Sequence, residues 1–122
     1  MKITFLGTGT SQGVPVITCK CGVCQSTDEK DKRLRSSVFI EVDDLAIVVD
    51  AGPDFRQQML RENIQKLDAV LITHKHKDHI AGLDDVRAYN YTQKQYMNVY
   101  GDASTLAALR NEFAYSFAEN KY

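Results

Sequence analysis

Short apolar runs alternate with polar and glycine-rich stretches along the 122 residues, and the spacing inside each run sets its expected conformation. Ile3-Thr4-Phe5-Leu6 meets Gly7 and reads as a short buried strand that stops at a turn. Ser37 to Val42 alternates, with Val38, Ile40 and Val42 on one face and Phe39 and Glu41 on the other, the period of a half-buried strand. Asp43-Asp44 signals a hairpin turn into Ala46-Ile47-Val48-Val49. Ala69-Val70-Leu71-Ile72 and Met97 to Tyr100 predict two more strands. Helical spacing fills the gaps. Pro53 suits the first position of a helix carrying Phe55, Met59, Leu60 and Ile64. Ile80, Leu83, Val86 and Ala88 predict a helix over 78–91, and Leu106, Leu109, Phe113 and Phe117 predict one over 102–117. The order β, long loop, β, β, α, β, α, β, α is that of a layered α/β protein.

Composition narrows the function classes. With 43% apolar and 25% charged residues the chain is ordinary globular material, not a disordered one. A formal charge of −1 argues against nucleic acid as a partner on electrostatic grounds. No apolar run approaches membrane-spanning length and the N-terminal run is too short for a signal peptide, so a soluble, cytoplasmic protein is expected, with no membrane partner. In a reducing compartment, clustered cysteines read as metal ligands or redox thiols.

All three histidines lie in Thr73-His74-Lys75-His76-Lys77-Asp78-His79, after an apolar strand and before a predicted helix. In extended backbone His74 and His76 project to one side and Lys75 and Lys77 to the other. Asp78 and His79 follow as the chain turns. Three imidazoles and a carboxylate suit Zn, Mn or Fe, against the plainer reading of a solvated polar loop.

All three cysteines lie in Cys19-Lys20-Cys21-Gly22-Val23-Cys24. Three thiolates at this spacing can face one tetrahedral ion, with Gly22 expected to let the chain curl. A redox pair across Cys21 and Cys24, or three unconnected thiols, would use the same residues. Arg33, Arg35 and Arg56 are phosphate-binding candidates, Arg33 and Arg56 reading more readily as a solvated face. Arg87 and Asp84-Asp85 are candidates for a pocket rim. Tyr89, Tyr91, Tyr96 and Tyr100 could stack on a base or ribose, but packing residues are the preferred reading.

His-x-His-x-Asp-His after a strand, then Gly82-Leu83, resembles the signature of the metallo-β-lactamase-fold hydrolases. Phe5-Leu6-Gly7-Thr8-Gly9 and Val48-Val49-Asp50-Ala51-Gly52 fit the same fold. Gly7 to Val16 followed by Cys-x-Cys-x-x-Cys is similar to the branch holding the phosphonate-pathway cyclic-phosphate phosphodiesterase. The pyrroloquinoline-quinone-biosynthesis B proteins share a related loop and knuckle. The tRNA 3′-processing endonucleases are more distant and lack the knuckle.

The resemblance implies a fold, an αββα sandwich, of which residues 1–122 would be the N-terminal half, a single incomplete domain with a Cys knuckle at 19–24. It implies His74 and His76 on one divalent ion and Asp78 and His79 on a second, Zn or Mn, with Asp78 also the catalytic candidate. Asp50 would support the ligand loop by hydrogen bonds, and Cys19, Cys21 and Cys24 would hold one structural Zn. The implied function is hydrolysis of a small phosphodiester by a dinuclear-metal-activated water. Alternatives are a quinone-cofactor accessory protein or a non-catalytic zinc-knuckle binding module. In the family, each ion takes further ligands from downstream. With three histidines in all, this chain is expected to be weakly active or inactive alone and to self-associate through the surface the missing half would cover.

Overall fold

The computed structural model describes residues 1–118. Its five strands form one sheet in chain order: β1 (Lys2–Gly7), β2 (Ser37–Val42), β3 (Leu45–Val49), β4 (Ala69–Leu71) and β5 (Asn98–Tyr100). β1, β2 and β3 pair antiparallel, while β3–β4 and β4–β5 pair parallel. Parallel neighbours need crossovers, and helices supply them. α1 (Phe55–Arg61) links β3 to β4; α2 (Lys77–Ile80), a 3-10 turn at Leu83–Val86 and α3 (Arg87–Gln93) link β4 to β5. α4 (Ala103–Glu112) and α5 (Ala114–Phe117) follow. The loop between β1 and β2 carries the cysteines and a 3-10 turn at Glu29–Asp31.

Two predicted helices are interrupted. The stretch 78–91 divides because the Gly82 amide leaves the helix to donate to the Ala51 carbonyl at 2.9 Å. The stretch 102–117 breaks at Phe113, whose backbone (φ −116°, ψ 39°) is not helical. Its start behaves as a cap should: Asp102 accepts from the Thr105 amide at 2.7 Å, and this bond holds the Asp102 carboxyl below its usual range. Pro53 stays outside the first helix, which begins at Phe55.

One sheet face carries the core. Leu6, Phe39, Val48 and Val70 pack there against Phe55, Met59, Ile80, Val86, Tyr89 and Leu109. Phe55 and Tyr89 meet edge-on at 6.4 Å, and the Tyr89 hydroxyl donates to Ile64 O at 2.8 Å. Burial pushes that phenol up to about 12. The opposite face is also apolar but has no covering layer among the described residues. The ladder places Ile3, Phe5, Val38, Ile40, Ile47 and Val49 side by side on it. Phe5 is 69% exposed and Ile3 51%, whereas Val48 on the packed face is 0%. The alternation in β2 is therefore real, but Phe39, not the Val38 face, enters the core.

Candidate metal centre

The histidine loop leaves the C-terminal end of β4, where Ile72 still pairs with Tyr100 O before the chain turns. Beside it β3 ends at Val49, and Asp50 follows. The Asp50 amide continues the ladder to Leu71 O at 2.8 Å, and its φ of 65° puts it in the left-handed region. Aspartate tolerates that region better than most residues. The bend aims a carboxylate that is only 4% exposed into the loop. Its Oδ1 accepts from the Thr73 amide at 2.8 Å. Its Oδ2 takes the Thr73 hydroxyl at 2.7 Å and lies 2.6 Å from His79 Nδ1.

Close backbone approach fixes the other side of the loop. The Ala51 amide donates to His79 O at 2.9 Å. A Cβ on Gly52 would stand 2.0 Å from Asp78 O, and one on Gly82 would stand 2.0 Å from Gly52 O. Glycine at both positions lets the Asp50–Gly52 corner seat directly against α2.

The predicted ligands converge. His74 and His79 rings lie 4.0 Å apart between centroids, and His74 and His76 lie 4.6 Å apart. Asp78 Oδ2 is 2.9 Å from His79 Nε2. Asp50 and Asp78 thus occupy the two nitrogens of one ring. With Nδ1–H donating to Asp50, the Nε2 lone pair and the Asp78 carboxylate face each other. Two electron-pair donors at that distance need a proton or a cation between them, so the donor set fits a divalent ion.

The cysteine knuckle is gathered more tightly. Among the described residues, Cys19, Cys21 and Cys24 are the group of three whose donor atoms all lie within 4.8 Å of one another. Backbone amides point at the sulfurs: Cys24 N donates to Cys21 Sγ and Val16 N to Cys24 Sγ, each at 3.4 Å. The Cys24 amide, then the neighbouring Cys19 and Cys24 thiols, lower the Cys21 thiol to about 7. At Cys24 the Val16 amide pulls down, but the Cys19 thiol, desolvation and Cys21 outweigh it and the thiol is raised. Gly22 proves not to be required by space, because a Cβ there would meet nothing within 4 Å.

The arginine and tyrosine expectations change. Arg35 is bound within the fold, its Nη1 3.0 Å from Asp54 Oδ1, its Nε donating to Ser11 O and its carbonyl accepting from buried Gln58. Arg33 donates to Lys30 O and Thr8 Oγ1, while Arg56 faces solvent. Arg87 reaches Asp84 at 3.6 Å, and Tyr115 donates to the same carboxylate. Packing accounts for Tyr89 alone. Tyr91, Tyr96 and Tyr100 are exposed, the first two lining a cleft of about 760 Å³ between α3 and α5. Thr73, Gly52 and Gly82 stand inside the motifs, but motif reading assigned none of them a role of its own; the structure does. Thr73 carried one signal, a hydroxyl immediately before the first ligand.

Comparison with known proteins places the fold in a family. The profile of the Beta-lactamase superfamily domain matches residues 46–122. The crystal structure of a diphosphatase from the PhnP family superposes with a TM-score of 0.90 at 46% identity, over 94% of this chain and 46% of that one. Zinc-bound PqqB from Methylobacterium extorquens gives 0.76 at 27% identity, over 91% and 40%. A protein named octanoyltransferase from Porphyromonas gingivalis is 45% identical over 123 residues, which is 100% of this chain and 25% of that one. The chain thus spans less than half the length of these relatives. Its five-stranded sheet and helices are those of the metallo-β-lactamase fold, and the chain belongs to the beta-lactamase superfamily.

Proposed function

We propose that this chain carries the metal-loading part of a metal-dependent phosphodiesterase, with His74 and His76 for one divalent ion and Asp78 and His79 for a second. The observation that carries the reading is the pair-wise convergence of four donors on one loop, backed by the Asp50 carboxylate. When bound, Zn or Mn would lower the pKa of a water and offset negative charge on a phosphoryl oxygen. The chain's own part is positional. Asp50 holds the His79 Nδ1 proton and so leaves Nε2 free. Asp78 presents a carboxylate at the same point, where it can hold a proton or a cation. Lys75, exposed beside the cluster, adds positive charge for an anionic substrate.

A small phosphodiester fits the formal charge of −1 better than a polyanion does. The diphosphatase neighbour supports phosphorus–oxygen chemistry by likeness. The octanoyltransferase name belongs to a protein of which this chain matches one quarter, so acyl transfer is not carried across. The knuckle cysteines would hold a structural zinc, and the zinc-bound neighbour supports that metal. The sheet face left open would be covered by the remainder of a longer protein, or by a second copy when residues 1–122 stand alone. A cytoplasmic setting suits reduced knuckle thiols.

The test is hydrolysis of bis(p-nitrophenyl) phosphate and a ribose cyclic phosphate by a protein containing this chain, loaded with Zn or Mn. The expected result is turnover that chelation abolishes and that His76→Ala lowers by at least about 100-fold. Metal bound at the histidine loop with no turnover of either ester would overturn the phosphodiesterase reading.

A further inference from the structure

An imidazole accepts a cation only at the nitrogen that carries no proton, so whatever fixes the tautomer decides which nitrogen is offered. For His79 that choice follows directly from Asp50. For His74 the structure contains a relay. His74 Nδ1 lies 3.0 Å from Thr73 Oγ1, and Thr73 Oγ1 lies 2.7 Å from Asp50 Oδ2. The hydroxyl has one proton and the carboxylate oxygen has none to give. The hydroxyl therefore donates to Asp50, and its lone pair accepts from His74 Nδ1–H, which leaves His74 Nε2 bare.

We propose that Thr73 is a positioning residue that presents His74 Nε2 to a metal ion, and that a single buried oxygen, Asp50 Oδ2, thereby orients one histidine of each ligand pair. His76 has no such tie among the described residues. The consequence is asymmetric. Loss of the Thr73 hydroxyl weakens the His74/His76 position alone, whereas loss of the Asp50 carboxylate weakens both. The methyl group of Thr73 has no part in the relay, so serine should replace threonine without loss. This inference rests on the two-ion reading above, and its first readout needs no metal.

Thr73→Val, Thr73→Ser and Asp50→Asn are compared in the 122-residue chain. Long-range proton–nitrogen NMR of the metal-free protein reads the tautomer. Cobalt titration reads occupancy, because thiolate charge-transfer bands separate the knuckle from the imidazole positions. The expected result is Nδ1–H at His74 in the parent and in Thr73→Ser, and loss of that preference in Thr73→Val. Cobalt affinity should fall about 10- to 100-fold at one imidazole position in Thr73→Val, at both in Asp50→Asn, and at neither in Thr73→Ser. The knuckle bands should not change. A parent His74 protonated at Nε2, or a Thr73→Val protein with the parent's tautomer and affinity, would overturn the relay. If cobalt occupies no imidazole position in the parent, the two-ion reading falls, and the NMR result alone decides the role of Thr73.

Discussion

The two ligand clusters are built in opposite ways. The cysteine knuckle gathers its donors by chain proximity: three thiols within six residues, sulfurs within 4.8 Å, on a loop tied to the body by the Val14–Arg33 bridge and the Gly9–Leu34 bond. The histidine loop depends on distant parts of the fold. It needs the end of β4, the left-handed turn at Asp50 just past β3 and the close approach of Gly52 to Asp78 on α2 and of Gly82, just past α2, to Gly52. A cluster made by sequence spacing should survive damage to the scaffold, and one made by tertiary structure should not.

The largest expected effect comes from Gly52→Val. Its Cβ would meet Asp78 O at 2.0 Å, a backbone atom that cannot rotate aside. Relief requires α2 to part from the β3 corner, at about 3 kcal/mol or more. Thermal unfolding should show that loss, and cobalt should no longer reach the imidazole positions while the thiolate bands persist. Parallel loss at both clusters would show that the knuckle also depends on the sheet.

The scaffold has a weakness of its own, the open sheet face. Phe5 and Ile3 stand exposed beside the half-buried Val38, Ile40, Ile47 and Val49, a contiguous apolar row of the kind that draws proteins into association. The isolated 122-residue chain should therefore sediment as a concentration-dependent oligomer. Phe5→Lys combined with Ile3→Lys should shift it toward monomer, by at least about 10-fold in dissociation constant, without disturbing either cluster. A parent chain that is monomeric at high concentration would contradict this use of the face.

Asp50→Asn is a milder change than Gly52→Val, since the fold can keep its shape. It removes the one group that accepts from Thr73 and His79 together. Metal affinity at the histidine loop should fall about 10- to 100-fold, measured by chelator competition, with knuckle affinity unchanged.

The same contrast explains what the sequence made legible. The strands, the hairpin and the apolar stripe of α4 follow from periodicity, and both ligand motifs follow from spacing, because local residues create them. The break at Gly82 is invisible to periodicity, since Ile80, Leu83 and Val86 keep helical spacing across it and all three are buried. A partner remote in sequence, Ala51 just past β3, draws the chain out of the helix. Arg35 could not be told from a phosphate binder because its partners Asp54 and Ser11 are remote in sequence. The alternation of β2 could not choose the core face because both faces are apolar, one of them facing no layer among the described residues.

The smallest effect concerns the knuckle alone. Cys21 and Cys24 sit three residues apart yet differ in direction: the Cys24 amide and the neighbouring thiols draw Cys21 down to about 7, while Cys19, desolvation and Cys21 leave Cys24 raised. A thiolate is the reactive form, so in the metal-free chain iodoacetamide should label Cys21 first, with a rate that climbs as pH rises through about 7. Cys24 should follow only at higher pH. Zinc should suppress both, because the ion takes the same lone pairs. Cys21→Ser should abolish knuckle metal binding while leaving cobalt at the imidazole positions, and the metal-free variant should keep a stability within about 0.5 kcal/mol of the metal-free parent, as expected for an exposed loop residue. Equal labelling of Cys21 and Cys24 across this pH range would show that the loop does not hold its amides on the sulfurs before metal binds, and that the knuckle, like the histidine loop, is completed by something outside itself.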